Sequence, residues 1–145
     1  MSDVAGRPPM VVTHQGGVRF AVGIRQHQVV VDQPLGAGGD DLAPTPLELL
    51  GASLGSCVAL YVQQFCHARG LPYEGMRVEV RPRTVPGRIE RFDVSVVLPA
   101  PLPPHYAQLL ERVARSCPAH ATLVHGAEVD VAIHLPEGAP AAATA

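Results

Sequence analysis

The sequence predicts an α+β domain with a mainly antiparallel sheet and two central helices. Three observations carry that prediction. Runs with an apolar residue at every second position lie on both sides of one long helical segment. That segment, Thr45 to Arg69, has no residue of fixed charge between Glu48 and Arg69. The elements come as strands, helix, hairpin, helix and strand, which is the order of an α+β chain.

Met1 to Pro9 is small, polar and proline-containing, and is expected to be loose. A short strand is expected around Met10 to Thr13, turning at Gly16-Gly17. Val18, Phe20, Val22 and Ile24 then alternate with Arg19, Ala21, Gly23 and Arg25, the period-2 mark of a half-buried strand. Gln28 to Val31 reads as another strand, ended by Asp32-Gln33-Pro34. Glycines and aspartates from Leu35 to Asp41 make a loop that leads to the long helix.

Start and stop signals of that helix agree. Thr45 and Glu48 have the S/T-x-x-E form of a capping box, and Pro46 occupies the first helical position, where its missing N–H costs nothing. Arg69 suits the negative end of the dipole, and Gly70 suits the residue just past it. Leu47, Leu50, Leu54, Val58, Tyr61 and Phe65 form one apolar stripe, while Leu49, Ala52, Ala59 and Val62 occupy other faces. A helix apolar nearly all round must be covered on nearly all sides. One sheet covers one side, so a second copy of the chain is the simplest cover for the other. The sequence therefore predicts a two-fold homodimer with the central helices buried between two sheets. Gly51, Ala52, Ser53, Gly55 and Ser56 leave room for another element to pack close.

Strand patterns return after Gly70. Met76, Val78 and Val80 alternate with charged residues, as do Phe92, Val94, Val96 and Leu98, and Pro86-Gly87 between them is a turn pair. This is a hairpin whose outer face pairs acids with arginines. After the connector Pro99 to Pro104, Tyr106, Leu109, Leu110, Val113 and Cys117 lie at helical spacing. Pro118 must end or kink that helix, or open a new short one through Leu123. Val129, Val131, Ile133 and Leu135 form the last expected strand. Residues 10–135 are read as a single domain, and 1–9 and 136–145 as flexible termini.

The chain has 145 residues and a formal charge of −2, with no long block of one sign. That balance argues against nucleic-acid binding and against a basic membrane anchor. The polar residues of the long helix, from Gly51 to His67, argue against a membrane span, and no signal peptide is visible. Three cysteines without a C-x-x-C spacing give neither a disulfide framework nor a structural zinc site. A cytoplasmic protein with reduced thiols follows.

Cys57 and Cys117 lie on apolar stripes, where a free cysteine often serves as a small hydrophobe. Cys66 is nine residues after Cys57, about half a turn out of phase, and points the other way. Cys66 and His67 lack metal-ligand spacing.

The run Pro44-Thr45-Pro46-Leu47-Glu48-Leu49-Leu50 to Leu54-Gly55-Ser56-Cys57, with the distant Ser116-Cys117-Pro118, resembles the OsmC/Ohr family of thiol peroxidases. Arg25-Gln26-His27, Asp32-Gln33-Pro34 and Gly38-Gly39-Asp40 are similar to its broader OsmC-like branch. The resemblance spans about Val18 to Leu135. It implies an intertwined α+β homodimer with two central helices. It also implies a peroxidatic Cys57 that attacks an organic hydroperoxide to give a sulfenic acid, and a resolving Cys117 that forms a disulfide with it. A dithiol, in the family often a lipoyl protein, would restore the thiols. No metal or bound cofactor is implied.

Cys57 lies about three turns into its helix, beyond reach of the N-terminal dipole. A thiolate there needs a nearby cation. The family takes an arginine from before the helix. Arg25 is the first choice, because it stands in the matching segment, and Arg19 is the second. In the well-studied hydroperoxidases a functional glutamate directly follows the motif proline. Leu47 holds that place here, and Glu48 comes one position, about 100°, later. Glu48 is therefore a candidate catalytic residue with a competing role in the capping box. A shared N-terminal helix position next to Pro118 would lower the Cys117 pKa. The competing function is a non-catalytic dimer of the same fold that binds a small apolar ligand, with both cysteines as core residues.

Overall fold

The computed structural model of the chain describes residues 6–138 and 142. Parts of both termini read as flexible, residues 1–5, 139–141 and 143–145, lie outside the described residues. Five strands and three helices follow in order: β1 (Val11–Gly16), β2 (Arg19–Ile24), β3 (His27–Val31), α1 (Pro46–Ala68), β4 (Arg77–Val85), β5 (Arg88–Val97), α2 (His105–Arg115) and α3 (Pro118–His125). The class is α+β, and every strand pairing is antiparallel.

The sheet is in two pieces. One is a meander in the order β1-β2-β3, and the other is the β4-β5 hairpin. Ile24 pairs with His27, so Arg25 and Gln26 form a two-residue turn with Arg25 at φ 54°. The meander packs chiefly on itself, whereas α1 packs on β4, β5, α2 and α3.

The helix α1 is built as its sequence dictates. The Thr45 N–H donates to Glu48 Oε2 at 2.8 Å, and the Glu48 N–H donates to Thr45 Oγ1 at 3.2 Å, so both halves of the capping box are present. Arg69 caps the other end, where the Leu71 N–H reaches back to the Cys66 carbonyl at 2.9 Å. By length and composition α1 could cross a membrane. In the fold its stripe Leu54, Val58, Val62, Phe65 and Cys66 is the centre of the core, joined by Cys117. Tyr106, Leu109, Leu110 and Val113 of α2 close over that stripe from one side, and Val78, Phe92 and Val96 of the hairpin from another. A buried valine or leucine contributes roughly 1.5–3 kcal/mol by leaving water.

The hairpin's outward face carries the expected pairs. Arg77 and Arg81 flank Glu79, and Arg83 and Arg91 flank Asp93. Such exposed pairs hold register more than they stabilise, at about 0.2–1 kcal/mol each.

One expected element differs. Val129, Val131, Ile133 and Leu135 form no strand, and they stand 80–83% exposed. Their alternation suits a strand, but a strand needs a paired neighbour, and among the described residues none pairs with them. Likewise α1 is not covered all round: Leu47, Leu50 and Leu60 remain 40–51% exposed.

Two glycines of α1 let the hairpin approach. A Cβ on Gly55 would sit 2.8 Å from Val80 Cγ2, a clash, whereas one on Gly51 would meet Phe92 Cε1 at 3.5 Å, an ordinary contact. Alanine gains about 1 kcal/mol over glycine in a helix interior, and overpacking costs about 1–3 kcal/mol. Thermal unfolding should therefore show Gly51→Ala more stable than the parent and Gly55→Ala less stable.

Candidate active site at the junction of α1 and α3

Pro118 opens a new helix. Cys117 is consequently the N-cap of α3 and not the last residue of α2. Its backbone is extended (φ −68°, ψ 144°), and its side chain turns back so that Sγ accepts the His120 N–H at 3.3 Å. This brings the Cys117 sulfur into the core against α1, where Cys57 packs on the same cluster and lies near enough to act on the Cys117 thiol. Both thiols are free. Residues sixty positions apart in sequence thus share one contact, with Cys57 partly exposed and Cys117 fully buried.

Three effects act on the Cys117 thiol. Burial is the largest and pushes its pKa up; the N–H groups of His120 and Ala119 pull it down; the hydrogen bond to Cys57 and the charge Cys57 would carry push it up again. The net direction is upward. The helix-terminal position expected from Pro118 is real, but the lowered pKa expected from it is not the outcome, because desolvation outweighs two N–H donors. Within the pair, a negative charge on Cys57 leaves the proton on Cys117. Cys66 points into the core on the other side of α1, and burial raises its thiol too, against the opposing charge of Arg69.

The two arginines lie on the meander. Arg25 is exposed in the β2–β3 turn, in a left-handed conformation that costs a non-glycine residue about 1 kcal/mol or more. Arg19 donates to Asp40 Oδ2 at 2.9 Å, and its Nε is 3.9 Å from Asp32 Oδ2. The single chain therefore gives Arg19 two carboxylate partners. Among the contacts of the described residues, neither arginine meets Cys57. Glu48 makes its capping-box bond and borders a cleft of about 510 Å³ with Leu47, Ala52, Ser56 and Val80.

Sequence reasoning missed the group that anchors Arg19. Asp32 is 1% exposed, and its carboxylate accepts the N–H groups of Gln33, Leu42 and Asp40 at 2.8, 3.1 and 3.3 Å. These bonds, with Arg19 beside them, hold its pKa below the usual carboxylate range. Gly39 is needed for the same fold of chain, since a Cβ there would overlap the Gln33 carbonyl at 1.9 Å. The turn Asp32-Gln33-Pro34 was the visible signal; the convergence of three N–H groups on one side chain was not. The Asp32 N–H also donates to the Pro44 carbonyl at 3.1 Å, which ties the loop to the start of α1.

The fold defines a class of α+β proteins built on a central helix, here with Cys57 on α1 and Cys117 beside it at the start of α3. The family model described as OsmC-like protein matches residues 38–132, and the chain belongs to that family. Among solved structures it is similar to a Psychrobacter arcticus 273-4 protein provisionally described as an osmotic stress induced and detoxification response protein. That match has a TM-score of 0.75 and 22% identity, over 81% of this chain and 88% of the other. An OsmC-like protein from Mycoplasma pneumoniae matches with a TM-score of 0.70 and 15% identity, over 83% and 89%. An organic hydroperoxide resistance protein OsmC from Legionella pneumophila matches with a TM-score of 0.53 and 19% identity, over 80% and 89%. These likenesses concern the fold. No curated protein matches in sequence.

Because the folded Asp32 pKa lies below the unfolded value, its contribution to stability is complete above about pH 4 and is lost as pH falls through the folded value. Asp32→Asn should be less stable than the parent at pH 7, and the gap should close in denaturant titrations repeated at falling pH below about 4.

Proposed function

We propose that the protein is a cysteine-based peroxidase that reduces organic hydroperoxides in oxidative-stress defence, working as a homodimer in the reducing cytoplasm. The observation that carries this reading is the placement of Cys57 beside the buried Cys117, with Cys57 the more exposed. The Cys57 thiolate attacks the distal peroxide oxygen; the O–O bond breaks, the alcohol leaves with a proton, and Cys57 becomes a sulfenic acid. The Cys117 thiol then attacks that sulfur, water departs, and a Cys57–Cys117 disulfide remains. A dithiol, of lipoyl type, reduces it. The family and the hydroperoxide resistance named for the Legionella relative support this chemistry.

The charge on Cys57 needs a cation, and we assign Arg25 to it from the partner protomer, with Arg19 as the second choice. A meander that packs chiefly on itself is free to lie on another copy. The exposed apolar residues of α1 and of 129–135 are the surfaces such a copy would cover. Glu48 is assigned to orient the guanidinium from the cleft it borders while also capping α1.

A specific observation favours a second reading. A cavity of about 600 Å³ between α1, β5 and α2 is walled by Leu54, Val58, Phe92, Val96 and Leu110, and neither Cys57 nor Cys117 lines it. It is of a size to hold a small apolar ligand without thiol chemistry. Native mass spectrometry of the purified protein would reveal such a ligand.

The peroxidase reading is tested by consumption of an organic hydroperoxide with a dithiol. The wild type should turn over, Cys57→Ser should fall to background, and Cys117→Ser should lose the disulfide and over-oxidise. Absence of wild-type turnover sinks the reading. Arg25→Gln should lower the rate at least tenfold with the unfolding temperature unchanged; a loss confined to Arg19→Gln would move the assignment to Arg19. Sedimentation equilibrium should give twice the chain mass, and a monomer would remove the dimer from the proposal.

A further inference from the structure

A disulfide between these cysteines would have two unlike sulfurs. Cys57 is partly open in the chain, with Ser53 and Ser56 exposed beside it on α1. Cys117 has no exposed surface. Its Sγ stands at the N-terminus of α3, where the His120 N–H reaches it at 3.3 Å. From this asymmetry we propose that the external thiol attacks the disulfide at the Cys57 sulfur, and that Cys117 departs as a thiolate onto the His120 N–H at the head of α3. The proposal rests on the thiol cycle above and gives its regenerating half a direction.

The step balances. A reductant thiolate forms an S–S bond to Cys57, the Cys57–Cys117 bond breaks, and its electron pair goes to Cys117. The reductant's second thiol, deprotonated, then attacks the reductant's own sulfur in the mixed disulfide. Cys57 is released as a thiolate, the reductant leaves as its cyclic disulfide, and Cys117 takes up a proton. Two electrons pass from the dithiol to the protein.

Two effects oppose one another. In the reduced pair a charge on Cys117 is disfavoured, which makes it the poorer leaving group. Thiol exchange responds to that, because a thiol of lower pKa leaves faster. Access acts more strongly, because a sulfur with no exposed surface is attacked only after local opening. Moreover, the part of the penalty that comes from Cys57 lapses once Cys57 is tied to the reductant, while the His120 N–H remains. Peroxide and reductant would then meet the same sulfur and exclude one another.

The disulfide is made in the wild-type protein with diamide, so that peroxide turnover is not required. It is exposed briefly to 2-mercaptoethanol, quenched in acid and alkylated, and the adduct is located by peptide fragmentation. The expected result is at least a tenfold excess of adduct on Cys57 over Cys117. Equal labelling, an excess on Cys117, or failure of diamide to form the disulfide overturns the proposal. A disulfide that forms and reacts at Cys57 in a protein that consumes no hydroperoxide would sink the peroxidase reading alone.

Discussion

Burial of one uncharged rod governs this chain. Between Glu48 and Arg69 the helix α1 offers water no fixed charge, so its stability comes from what packs on it and not from its own surface. The hairpin, α2 and α3 are each placed by that demand, and the glycine at 55 sets how near the hairpin can come. The capping box and the reversed chain at Leu71 satisfy the ends, where packing cannot.

The same burial shapes the sulfur chemistry. Cys117 is brought to Cys57 by the proline that starts α3, and the N-cap geometry points its sulfur inward. Two backbone donors favour a charge there, and loss of water disfavours it more. The balance separates two chemically identical thiols: Cys57 is partly open to water, and Cys117 is buried with its proton held more firmly than in water. An arrangement with both sulfurs equally exposed would have no such order.

Much of this was legible in the sequence because it is local. Thr45, Pro46, Glu48 and Gly70 bounded α1, Pro86-Gly87 marked the hairpin turn, and Pro118 marked the break before α3. Cys57 and Cys117 were picked out by their stripes and by the family pattern, and the fold brings them together. The rest depends on contacts that no spacing records. Asp32 gathers N–H groups from residues up to ten positions away, and only the folded loop reveals it. The sign of the Cys117 shift required knowing how deeply it is buried. The strand expected at 129–135 does not form, because alternation shows only which residues share a face, and pairing also needs a second backbone alongside.

That unpaired stretch has a cost of its own. Val129, Val131, Ile133 and Leu135 present a β-branched and aliphatic ribbon to water, outside any strand pairing among the described residues. Such a ribbon is a template for mispairing with any other open edge, including its own counterpart in a crowded solution. Asp130 and His134, set between the apolar residues, are what interrupts it. The chain's solubility while it is alone therefore hangs on two small polar interruptions, and a single apolar replacement at Asp130 would leave a bare adhesive strip.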